Sequence, residues 1–186
     1  MTPLSRRNQV LIGVLAALAL TALSLSAVAF LGPQRAGGGF AGGRDCAAPG
    51  MAGTVVNVTA TDMGGPMMGG PGMMRGMRLT ADHATVPHGP VSFLVANAGR
   101  YANEMVILPL PGTQIAGTRP VGGDGKINEA GSLGEASATC AEGAGQGIVP
   151  RSAGWVSVDL PPGRYELVCN FAGHYTAGMY TQLTVT

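Results

Sequence analysis

The chain has 186 residues, enough for one domain with one core after a distinct N-terminal stretch. Charged residues make up 11%, against about 25% in ordinary soluble domains, and 31 glycines and 13 prolines interrupt the chain, which excludes a long helical bundle or coiled coil. Eleven basic and ten acidic residues, with Lys126 the single lysine, leave no basic stripe for phosphates and exclude a nucleic-acid partner.

Arg6 and Arg7 precede a charge-free run of 22 residues, 10–31. About 20 apolar residues cross a bilayer as a helix. The same run ends in Ala27-Val28-Ala29, a cleavage-site pattern, so a removed signal peptide and a retained membrane anchor are both open readings of 1–31. Either way the arginine pair stays cytoplasmic and the chain beyond residue 31 is exported, giving an extracytoplasmic domain that is membrane-anchored or secreted. It touches the membrane through 10–31 if that segment is uncleaved. Residues 32–50, rich in Gly, Ala and Pro, bury too little apolar surface to offset chain entropy and read as a tether before a domain over 51–186.

From residue 54 the chain turns to short runs rich in β-branched residues: 54–60, 77–80, 91–96, 104–108, 155–160, 165–170 and 181–185. Turn formers such as Pro87-His88-Gly89-Pro90 and Pro161-Pro162-Gly163 separate them, and seven short strands with such turns predict a β-sandwich. Within 155–160 alternation puts Val156, Val158 and Leu160 on one face, the inner one. Two stretches break the rhythm. Residues 63–77 hold six of the ten methionines among glycines and prolines and read as a Met-rich loop. Residues 113–147 form a long loop with one helical turn near 132–138, capped by Ser132. A loop of that length is usually functional or tied down.

The chemistry concentrates before the last strand, where Cys169, His174 and Met179 stand in a Cys-x4-His-x4-Met spacing. A soft thiolate, an imidazole and a weak thioether are the donor set of blue-copper electron-transfer sites. This segment resembles the copper loop of cupredoxins, and its spacing is most similar to sulfocyanin and rusticyanin-like members. Val91 to Gly99, then Asn103-Glu104-Met105-Val106-Ile107-Leu108, resembles the family's strand, loop and strand.

The resemblance implies an all-β, cupredoxin-like Greek-key sandwich and one type 1-like copper ion on Cys169, His174 and Met179. It also implies redox partner proteins and a one-electron carrier rather than an enzyme. The family's remaining ligand is a His at the start of the second of those strands, and here that position is Asn103. Three outcomes are open: the Asn103 amide oxygen or a water completes the site, Cu(I) sits on the other three donors, or the fold carries no metal. Correspondingly, the alternatives to electron transfer are a Cu(I)-handling protein for storage or delivery and a metal-free interaction module. His88 lies roughly 25 to 30 Å along its strand from the expected site, and His83 lies further upstream, so neither substitutes. Strand alternation turns Glu104 to the other face. With Cys169 implied as a ligand, Cys46 and Cys140 are left to form a disulfide. The Met-rich loop offers thioethers suited to Cu(I), or is flexible apolar filler or part of a docking surface for a partner.

Overall fold

The computed structural model describes residues 46–62 and 76–186. The 10–31 segment, the tether up to residue 45 and the Met-rich loop up to residue 75 lie outside the described residues. Nine strands run in order: β1 (Thr54–Thr61), β2 (Arg78–Ala81), β3 (Thr85–Val86), β4 (Gly89–Asn97), β5 (Met105–Pro109), β6 (Gly134–Ala136), β7 (Ala153–Leu160), β8 (Gly163–Val168) and β9 (Tyr180–Val185). They form two sheets, in the orders β2-β1-β4-β7 and β3-β9-β8-β5-β6, and the described residues contain no helix.

Alternation builds the core between the sheets. Val56, Val58 and Ala60 of β1 and Val91, Phe93 and Val95 of β4 point inward against Met105, Ile107, Leu167 and Leu183 of the second sheet. All these side chains are fully buried. Emptying one such position, Phe93→Ala, would cost about 3 to 5 kcal/mol. In β7 Val156 and Leu160 are buried, whereas Val158 is half-buried and packs at the margin of the same cluster.

The predicted helical turn at 132–138 does not form. Its residues are extended because β6 adds to β5, with Met105 opposite Ala136 and Ile107 opposite Gly134, and a three-residue strand has no period that a sequence pattern can register. The predicted strand 165–170 ends at Val168, where Cys169 and Asn170 leave the ladder for the next loop.

The long connection is tied down rather than free. Its Ile127 joins Val106, Leu108, Val168 and Tyr175 in a second apolar cluster outside the main core. Further along, residues 140–143 hydrogen-bond to the free edge of β7: Cys140 N donates to Ala153 O at 2.7 Å and Gly143 N to Trp155 O at 2.9 Å. A disulfide joins Cys140 to Cys46 there. Gly154 in β7 has no room for a side chain, since a Cβ would lie 2.5 Å from the Ala138 carbonyl oxygen.

Register sets where function can sit. Val106 lies opposite Val168, and Val168 opposite Tyr180, so the start of β5, the end of β8 and the start of β9 meet at one end of the second sheet. Asn97, the last residue of β4, reaches the same end through its side chain, which donates to Ile148 O and Tyr101 O, both at 2.7 Å.

Candidate metal centre

Cys169 and Met179 are the first and last residues of the loop between β8 and β9. Cys169 N donates to Met179 O at 2.9 Å, closing that loop at its base, and both side chains are fully buried in the main core. The residues between fold through turn bonds, His174 N to Phe171 O at 2.9 Å and Met179 N to His174 O at 3.1 Å. Gly173 and Gly178, at φ of 82° and 104°, supply the left-handed backbone that a side chain would resist.

This path brings His174 Nδ1 to 3.3 Å from Cys169 Sγ. The imidazole is half-buried, with the Phe171 ring against it edge-on at 5.7 Å. Burial lowers its pKa, partly opposed by the Asp62 charge, which favours the neutral ring that can donate a lone pair to a metal. Burial pushes the Cys169 thiol up to about 12. The metal-free protein therefore holds a protonated thiol, and any metal ion it takes up must displace that proton.

Asn103 is held by backbone and side chain together. It exchanges both main-chain hydrogen bonds with Ile148, at 3.1 and 2.7 Å, and is fully buried. Its Nδ2 donates to Asn97 Oδ1 at 2.9 Å and to Tyr101 O at 3.2 Å. Two acceptors around one end of the carboxamide require the nitrogen there, which leaves the oxygen facing the sulfur. The thiol donates to that Oδ1 across 3.7 Å.

A metal ion that binds sulfur at about 2.3 Å and nitrogen or oxygen at about 2.0 to 2.1 Å holds such donor pairs about 3.5 to 3.7 Å apart. The Cys169–His174 separation of 3.3 Å and the Cys169–Asn103 separation of 3.7 Å are within a few tenths of that. The donor set fits copper on these terms, with an amide oxygen of the kind that weak copper positions accept. Among the described residues no three His, Cys, Asp or Glu side chains cluster as a metal site.

The other candidates lie elsewhere. His88 Nδ1 contacts Thr186 O at 3.0 Å and His83 Nδ1 contacts Asp82 Oδ1 at 2.8 Å, both exposed, at the end of the sheets away from Cys169. Glu104 turns away from the sulfur, its Oε1 accepting from Asn170 N at 3.1 Å, while its own N–H donates to Cys169 Sγ at 3.4 Å. The Asn170 side chain bonds Ile127 on both its N–H and its carbonyl, at 2.7 and 3.0 Å. Its alternation to the outer face puts the long connection, not the thiol, within reach.

Sequence reasoning missed two groups. Asn97 reads as a turn former, yet its amide organises Tyr101, Asn103 and Ile148. Glu166, a charge inside the predicted strand 165–170, carries no sequence sign of a partner, yet it is fully buried and paired with Arg119 at 2.5 Å.

The family model of the sulfocyanin (SoxE) domain matches residues 86–186, more than half of the chain and all of the elements that carry this site. The chain belongs to the sulfocyanin family. Its all-β two-sheet sandwich is the cupredoxin fold of that family. Among solved structures, a dithionite-reduced auracyanin from the photosynthetic bacterium Roseiflexus castenholzii is 16% identical, with 74% of this chain and 99% of that chain covered and a TM-score of 0.46. Rusticyanin from Thiobacillus ferrooxidans is 18% identical, with 73% and 79% covered and a TM-score of 0.42. No curated protein sequence matches the chain.

Proposed function

We propose that this sulfocyanin-family protein is an exported copper protein that carries single electrons between larger redox partners and makes or breaks no bonds itself. One observation carries it: a buried thiol, a half-buried imidazole and an amide oxygen converge at 3.3 and 3.7 Å, at the sheet end where the buried Met179 enters the core. Copper, when bound, supplies the one-electron couple. Cys169 would hold it as thiolate, His174 as neutral imidazole at the half-exposed side, Met179 as thioether and Asn103 through Oδ1. The chain's own contribution is a donor set fixed before metal arrives. The Asn97–Asn103 amide pair, the Ile148 backbone and the Glu104 N–H on the sulfur all restrict movement between redox states.

The amide at position 103 favours a second reading. With one imidazole, a thiolate and a thioether, the donors are softer than a two-histidine set, which suits Cu(I) storage or delivery. Anchoring through residues 10–31, and export itself, belong to the proposal too.

Loading the protein with copper and recording visible absorption and electron paramagnetic resonance tests both. One Cu(II) per chain with an intense thiolate-to-copper band supports the carrier. Tight Cu(I) binding with no such band, released to an acceptor, replaces it with the handling role.

A further inference from the structure

Glu166 is a fully buried carboxylate on the outer face of β8, where its neighbours Val168, Val106 and Leu108 are apolar. A charge in such a place is tolerated only when its hydrogen-bonding capacity is met. Its partners come from two separate parts of the chain. Arg119 Nε at 2.5 Å and Gly117 N at 2.6 Å arrive from the long connection, and the Tyr175 hydroxyl donates at 2.9 Å from the loop that carries His174. Arg119 also donates Nη2 to Pro109 O at 2.6 Å and its backbone N–H to the Tyr175 oxygen at 3.0 Å. The Tyr175 hydroxyl therefore both donates and accepts, and its ring is packed at 5.2 Å against Tyr180.

We propose that Arg119 and Glu166 are positioning residues that act through Tyr175 to hold His174 at Cys169. The inference rests on reading 169–179 as a metal loop. Tyr175 is the next residue after His174, and the two side chains go to opposite sides: the imidazole to the sulfur at 3.3 Å, the phenol to the outer cluster. Fixing the phenol at ring and hydroxyl leaves the imidazole little room to swing. The same connection supports the loop a second time, where Gly173 N donates to Gly125 O at 2.9 Å. Stability alone would be served as well by an apolar residue at 166, since buried ion pairs rarely stabilise more than a packed hydrophobic side chain. The pair adds a defined place for the tyrosine.

Tyr175→Phe removes the hydroxyl and keeps the ring. Tyr165→Phe makes the same change at the other end of the sandwich, where that hydroxyl donates to Pro161 O at 2.7 Å. In the metal-free full-length chain, the rate at which an aromatic disulfide reagent modifies Cys169, the free cysteine, reads opening of the loop. Measured equally far below each melting temperature, Tyr175→Phe should react roughly tenfold faster than wild type, as expected for losing a hydrogen bond to a charged group. Tyr165→Phe should match wild type, and Arg119→Lys, which keeps the charge and loses the planar fork, should fall between. In copper-loaded protein the copper hyperfine splitting should change in Tyr175→Phe and not in Tyr165→Phe. Equal behaviour of the two tyrosine variants overturns the inference. If wild type binds no copper, the electron-carrier reading fails by itself and the thiol rates still decide this one. If Tyr175→Phe does not fold, Arg119→Lys against Tyr165→Phe decides it by the same rates.

Discussion

Asn103 gives its side-chain nitrogen to Asn97 Oδ1 at 2.9 Å, and that bond decides which end of the carboxamide faces Cys169. Asn97 spends its own nitrogen on Tyr101 O and Ile148 O, so its oxygen has no alternative orientation. Replacing Asn97 by Ala removes its bonds to Tyr101, Ile148 and Asn103 and leaves the buried Gly99 N–H without the Asn97 Oδ1 it donates to at 2.9 Å, at a cost of about 2 to 4 kcal/mol. Urea unfolding measures it, together with a weaker copper affinity because the Asn103 oxygen is no longer aimed.

Asn103→His should supply the imidazole that the family carries at this position. Cu(II) affinity, measured by competition with a chelator, should rise by about tenfold or more, with a stronger thiolate-to-copper band. An unchanged spectrum would mean that the 103 side chain does not reach the metal.

Copper should raise the melting temperature of wild type and leave Cys169→Ser unchanged. At a hundredfold excess over the dissociation constant the gain is about 2.7 kcal/mol. Because the thiol is pushed up to about 12 by burial, uptake must release a proton, and affinity should climb with pH over the neutral range. A chelator should reverse both effects.

The metal-free protein has its own pH dependence. Burial first, then the Glu135 and Glu129 charges, raise the Glu104 carboxyl from 4.5 to about 7. The folded state then binds this proton more tightly than the unfolded chain. The stability it confers is full below about pH 4.5 and is lost as pH rises through 7, by about 2 to 3 kcal/mol in all. Urea midpoints between about pH 4.5 and 8 should fall in wild type and stay nearly level in Glu104→Gln.

Removing the disulfide by a double Cys46→Ser and Cys140→Ser change releases a closure of 94 residues. Constraint of the unfolded chain on that scale is worth about 4 to 5 kcal/mol in the chain-entropy account. Reduction of the wild type should lower the urea midpoint to that of the double variant.

The strands that carry most of the core were legible because β-branched residues alternate over four or more positions, as in 54–60 and 91–96. β3 and β6 were not, since two or three residues show no period, and β6 exists only because β5 offers it an edge. Within the candidate centre, the Cys169, His174 and Met179 spacing pointed to a single loop, and the structure brings Cys169 and His174 into contact there. Partners distant in sequence stayed hidden. Arg119 meets Glu166 across 47 positions, and no local pattern distinguishes such a glutamate from a solvated one. The same holds for Asn170, whose side chain finds Ile127 across 43 positions.

The covering of β7 by residues 140–143 bears on how these molecules behave when crowded. Among the described strands that end a sheet, β2 has four residues, β3 two and β6 three, too short to template a neighbour, while β7 has eight. Residues 140–143 pair with its first residues, Ala153 and Trp155, and an open ladder there invites a second chain to add a strand and begin a polymer. The cysteine bridge keeps the cover in place, so loss of the bridge would show first as self-association at high concentration, before the fold itself gives way.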